Sequence, residues 1–182
     1  MAEAIRASLP RIWGLRAAYA GLFVVLMMFG LLPLETMPRL WAGPDLMLSL
    51  TVVWAIRRPE LVPTLLIAAL FLLSDLLQMR PPGLMAAIAV FALHRLKRRA
   101  RAMRDRNFLA EWLAASMTTA VVLLGYRLAL GLFLLDKPQL SVTLSQLVMT
   151  VAFYPITATF SILFFGLRRA AVGEVDSLGH RL

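Results

Sequence analysis

A chain of 182 residues that is 60% hydrophobic and 16% charged, with a mean hydropathy of +0.78, departs from the roughly 45–50% apolar and about 25% charged make-up of soluble domains. No polar stretch between its apolar runs is long enough to fold alone, and the lack of cysteine excludes thiol chemistry, cysteine-based metal sites and disulfides. A net charge of +9 raises nucleic acid as a partner, a possibility that the placement of the charges removes.

In chain order, Arg6, Arg11 and Arg16 precede an apolar run over residues 17–34. That run is longer than the apolar core of a signal peptide and lacks a small-x-small cleavage site, so it is expected to be a retained transmembrane helix. Pro33, Pro38, Trp41 and Gly43 mark an interfacial loop. A second helix is expected over 45–56. Twelve residues at 1.5 Å each cover only about 18 Å of a hydrocarbon core of about 30 Å, which makes this the weakest span. The third helix is expected over 61–78, with Pro63 in a first turn where its missing N–H costs nothing. The fourth covers 84–96 and runs into the basic stretch 95–106. The fifth covers 108–135, with Arg127 as its interior charge, and the sixth covers 140–167, rich in Ser, Thr and Gln, with a bend expected at Pro155.

Six crossings place the N-terminus, the 57–60 turn, the 95–106 loop and the tail on one side. These segments carry three, two, seven and three Lys or Arg, fifteen in all, against Arg39, Arg80 and Lys137 on the other side, with Arg127 inside. The bias puts both termini in the cytoplasm. The fold class is therefore all-α: one bundle of six transmembrane helices in a single domain. A basic loop without interleaved aromatics is what this topology requires, so nucleic acid is not assigned as a partner. Arg57, Arg58, Arg95, Lys97, Arg98 and Arg99 are instead the cytoplasmic residues placed to contact anionic lipid or a partner.

Asp45, Asp75 and Arg127 all fall in the outer half of the bilayer, where a charge needs a partner or a wet cavity. They are the candidate binding residues. The alternative is an ion pair between Asp75 and Arg127 joining two helices, with Asp45 as a helix N-cap. His94 and His180 have no ligand at metal spacing, and the sequence contains no nucleophile elbow, dinucleotide fingerprint or P-loop. No catalytic residue, metal or cofactor is assigned.

The block from Gly43 to Leu93 carries a recognisable pattern. It has Pro44-Asp45 opening a Leu-rich helix, Trp54-Ala55-Ile56-Arg57-Arg58-Pro59, Asp75-Leu76-Leu77, and Pro81-Pro82-Gly83. It resembles the bacterial rod shape-determining MreD family, apart from Pro82, where that family more often has an aliphatic residue. The resemblance implies a non-enzymatic inner-membrane subunit of the cell-elongation machinery. Its implied partners are an MreC-like single-pass protein, a RodA-type glycosyltransferase, a penicillin-binding transpeptidase and the MreB filament. It also implies a fold similar to the membrane substrate-binding subunits of energy-coupling-factor transporters. From that likeness comes the alternative function, a solute- or lipid-binding subunit of a transporter.

Overall fold

The computed structural model describes residues 2–32, 41–100 and 107–167, with side chains from Pro10 onward in the first segment. These residues form six α-helices: α1 (Ala2–Leu31), α2 (Leu46–Arg57), α3 (Thr64–Leu77), α4 (Leu84–Ala100), α5 (Phe108–Leu132) and α6 (Leu140–Phe165). Number and order match the expectation. Three of the helices, over Pro10–Leu31, Phe108–Leu132 and Leu140–Phe165, are long and apolar enough to cross a membrane. The expected loop before α2, the basic residues 101–106 and the tail from residue 168 lie wholly or partly outside the described residues.

The boundaries differ where local chemistry outweighs hydropathy. α1 starts far upstream of residue 17, because the arginines that flank the apolar run are themselves helix formers. α3 starts at Thr64 rather than at 61: Pro63 stands just ahead of the first turn, and Leu61 and Val62 are buried in the turn that precedes it. α6 stops at Phe165 because Gly166 adopts a left-handed conformation (φ 62°) and its N–H bonds the Ile162 carbonyl. The helix continues through Pro155.

α2 is the interior element. Ten of its twelve residues, Leu48 to Arg57, are buried, and it packs against α1, α4, α5 and α6, while α3, α4, α5 and α6 follow one another around it. Its Trp54 ring lies 5.3 Å from Tyr19 of α1 and 5.3 Å from Phe165 of α6, and Phe23 of α1 continues the aromatic chain to Phe71 of α3 at 5.2 Å. The outside is reversed relative to a soluble protein. Along α5, Leu109, Leu113, Met117, Val121, Leu128 and Leu132 form an exposed apolar stripe at helical spacing, each more than half exposed. Unpartnered apolar surface of that extent belongs in lipid, and the chain is a membrane protein on this ground.

The described ends of the helices gather at two poles. At one, Arg16 donates to the Glu60 carbonyl, Arg57 meets Glu111 and Leu167, and Lys97 reaches Val62. At the other lie residues 41–45, the α3–α4 turn and the α5–α6 turn. Truncating Trp54 tests the central position of α2. Trp54→Ala should lower stability in detergent unfolding by about 3–5 kcal/mol. Trp54→Phe should cost less than about 1.5 kcal/mol, because the buried indole N–H has no partner to lose among the described residues.

Candidate functional site

Asp45 sits where α2 begins. Its Oδ1 accepts the Leu48 N–H at 2.9 Å, an N-cap that meets one of the orphan donors of the first turn. The backbone around it is held by hydroxyls of α6: the Ala42 N–H donates to Ser145 Oγ at 2.9 Å and the Asp45 N–H to Thr150 Oγ1 at 2.8 Å. One turn on, Ser49 Oγ donates to Thr157 Oγ1 at 3.0 Å. Three hydroxyls of α6 are therefore spent on α2 and the residues that lead into it. Thr150 is ten residues into α6, so Asp45 lies about 15 Å along that helix from its first residue.

Asp75 is fully buried and acts on α4. Gly83, at φ +82° and without a side chain, precedes Leu84 and cannot cap the helix; Asp75 supplies the missing acceptor from α3, taking the Ala86 N–H on Oδ2 at 3.1 Å. Its other oxygen is buried without a hydrogen-bond partner among the described residues. Arg127 turns the other way and donates from Nη1 to the Pro138 carbonyl. The helix-joining pair of Asp75 with Arg127 is not formed: each makes its hydrogen bond to a nearby turn or helix start instead.

Asp45 and Arg127 are nonetheless brought to one cavity of about 300 Å³, together with Arg80, Tyr126, Asp136 and Gln146. Met85, Leu123 and Leu130 give it apolar walls. Asp75 is not among its lining residues. The cavity has a geometric origin. α2 is 12 residues long and α5 and α6 are 25 and 26, so α2 is shorter by about 20 Å; space opens where α2 has not yet begun. Among the described residues, the two non-glycine residues with positive φ, Met79 (53°) and Leu134 (55°), lie at this pole, just past the ends of α3 and α5. Each holds a conformation that costs an L-residue about 1–2 kcal/mol, stabilised by bonds from Arg80 N to Asp75 O and from Leu135 N to Leu130 O, each 2.9 Å.

At the opposite pole Arg57 is not presented to lipid. It is buried, with Nε 2.8 Å from Glu111 Oε1, Nη2 3.4 Å from Oε2 and Nη1 3.4 Å from the Leu167 carbonyl. Tyr154 of α6 adds its hydroxyl to Glu111 Oε1 at 2.7 Å. Glu111 was overlooked as a second interior charge of the fifth helix; its signal was a lone acid in the first turn at the same membrane level as Arg57. Lys97 also turns inward to the Val62 carbonyl, and burial lowers its pKa to about 8. Arg58 pairs with Glu60 at 3.5 Å, partly exposed, and Arg95 stacks over Phe91 at 4.8 Å. Arg95, Arg98 and Arg99 are exposed.

No family model, no curated protein and no solved structure matches this chain.

The buried pair generates a sharp expectation. Glu111→Ala should destabilise the chain by about 3–5 kcal/mol, since it leaves the Arg57 charge buried without its counter-ion, and Arg57→Met with Glu111→Leu together should cost less than either alone. A double-mutant cycle in detergent unfolding reads the coupling; additive losses would show that the pair is not a unit. At the other pole, Asp45→Ala should cost about 0.5–2 kcal/mol and Asp45→Asn much less, because an amide oxygen still caps the helix.

Proposed function

We propose that this chain is a non-enzymatic scaffold subunit of the bacterial cell-elongation machinery, of the MreD type. It sits in the cytoplasmic membrane with six crossings and both termini inside. In this reading it binds an MreC-like single-pass protein and helps to position a RodA-type glycosyltransferase and a penicillin-binding transpeptidase, with the MreB filament beyond them. The observation that carries the reading is the motif block of residues 43–93 and what its polar members do. Asp45 caps α2, Arg57 ties α2 to α5, and Asp75 caps α4 beyond the Gly83 turn. Side chains that shape helix ends and helix contacts suit a protein whose product is a surface. The fifteen-to-three distribution of Lys and Arg supports the orientation. The shortness of α2 is compatible with a crossing, because its neighbours here are other helices rather than lipid.

A second reading, a solute- or lipid-binding subunit of a transporter, is favoured by the mixed-charge cavity alone. Affinity purification of the full chain from native membranes in mild detergent, with mass spectrometry, separates the two. The scaffold reading expects a single-pass MreC-like protein and wall synthases, and rounding of cells on depletion. Recovery of ATPase-coupling subunits, or rod shape kept on depletion, overturns it. Topology has its own test, made simple by a chain without cysteine. A membrane-impermeant maleimide added to spheroplasts should label Asp136→Cys and leave Glu60→Cys untouched.

A further inference from the structure

The cavity at the α5–α6 turn is lined by two arginines, Arg80 and Arg127, and two aspartates, Asp45 and Asp136. Its formal lining charge is zero, but the charges are not paired with one another. Arg127 donates to a carbonyl, Asp45 accepts a backbone N–H on one oxygen, and the only ion pairs formed among the described residues lie at the other pole. Asp45 is more than nine-tenths buried and still borders the cavity, and its carboxylate has acceptor positions beyond the one that the cap uses. The side chains of Arg80, Tyr126 and Gln146 make no hydrogen bond to any described residue. Donors and acceptors of both signs thus face a space of about 300 Å³, at the small end of ligand sites.

We infer that this cavity binds a small zwitterion, a molecule bearing a primary ammonium and an oxyanion (carboxylate or phosphate) on a short backbone. A lone anion would leave the buried Asp45 facing like charge, and a lone cation would do the same to the arginines. A dipolar ligand matches both. The two guanidinium groups, one from the α3–α4 turn and one from α5, offer planar forks suited to an oxyanion, with Tyr126 and Gln146 as neutral donors. The acids accept the ammonium. Asp45, level with Thr150 along α6, lies deeper than Arg127 and Gln146, which sit nearer the turn; the ammonium end therefore enters first. The chemistry has two sources: a free amino-acid-type solute, or the phosphoethanolamine headgroup of a lipid. The inference rests on the ligand-binding reading and does not require the scaffold one.

The test uses the full chain in detergent, with thermal unfolding in the presence of alanine, phosphoethanolamine, acetate, inorganic phosphate or ethylammonium at millimolar concentration. The expected result is a saturable rise in Tm with a zwitterion and none with the three singly featured controls. Arg80→Gln and Tyr126→Phe should weaken the response at least tenfold in ligand concentration. Tyr126→Phe removes only a hydroxyl with no hydrogen-bond partner among the described residues, so it keeps the test meaningful should Arg80→Gln unfold. Native mass spectrometry supplies the other source: retained phosphatidylethanolamine that is lost in both variants assigns the lipid headgroup and upholds the inference. A response to phosphate or acetate equal to that of the zwitterions overturns the zwitterion while leaving a ligand-binding protein. No response to any of them and no retained lipid overturns both.

Discussion

Glu111 accepts from the Arg57 guanidinium and from the Tyr154 hydroxyl, and in doing so ties α2, α5 and α6 together at a single point. A buried ion pair is not a strong source of stability in itself, since the desolvation of both charges offsets much of their attraction. Its consequence is positional. Arg57 cannot move toward water without giving up its ion pair with Glu111, so the last turn of α2 is fixed in height and rotation relative to its neighbours. The Leu167 carbonyl joins the same guanidinium, and it reaches there because Gly166 takes a left-handed turn. The end of α6 is thereby set by the same contact.

With one end of α2 fixed, the other follows from its length. The helix runs twelve residues and stops at Asp45, which is held to α6 through Thr150 and, one turn on, through Ser49 and Thr157. Thr150 and Thr157 are seven residues apart and so lie on one face. A third polar contact, between Tyr19 and Thr51 at 2.9 Å, fastens α1. Each polar residue of α2 therefore addresses a particular neighbour, while its aliphatic residues fill the space between. This division lets a helix that carries a few polar groups sit in a membrane bundle: its costly groups face protein, and the surfaces of α5 and α6 that face outward are mainly apolar.

How far the sequence discloses all this depends on which property is asked for. Helices were legible because apolar runs bounded by Pro, Gly and charge have few alternatives in lipid; Pro63 and Gly83 mark α3 and α4 to within three residues. A shared pole was legible as well, since residue counting puts Asp45, Asp75 and Arg127 toward one end of the bundle; the depth of Asp45, about 15 Å along α6 from its first residue, was not. Nor was azimuth. Asp75 and Arg127 share a level but answer to different turns, because a glycine before α4 left N–H groups that a buried carboxylate satisfies at closer range than a guanidinium on another helix. Arg57 was assigned to the lipid surface by its place in a basic turn. Only its pairing with Glu111 reverses that, and such a pairing depends on the packing of three helices rather than on any local pattern.

The two poles also differ in how completely their charges are used. At the basic pole, Arg57 and Glu111 satisfy each other and Lys97 is bonded to a carbonyl; what remains exposed, Arg95, Arg98 and Arg99, lies on the outside of α4. At the other pole the fold is complete before the charges are exhausted. Helix caps and turn carbonyls take one bond each from Asp45 and Arg127 and leave the rest of both groups at the border of a partly open cavity. Shaping helix ends needs no such surplus, and an internal ion pair would have consumed it. The motif residues Asp45, Arg57 and Asp75 are therefore explained by architecture, whereas the meeting of Arg80, Tyr126, Arg127 and Asp136 over the short end of α2 is not. The proposed scaffold and the proposed binding site share Asp45, one of whose oxygens caps α2 while its carboxylate also borders the cavity. Otherwise they draw on different residues, one on the capped and paired groups that set the bundle, the other on those that the bundle leaves unspent.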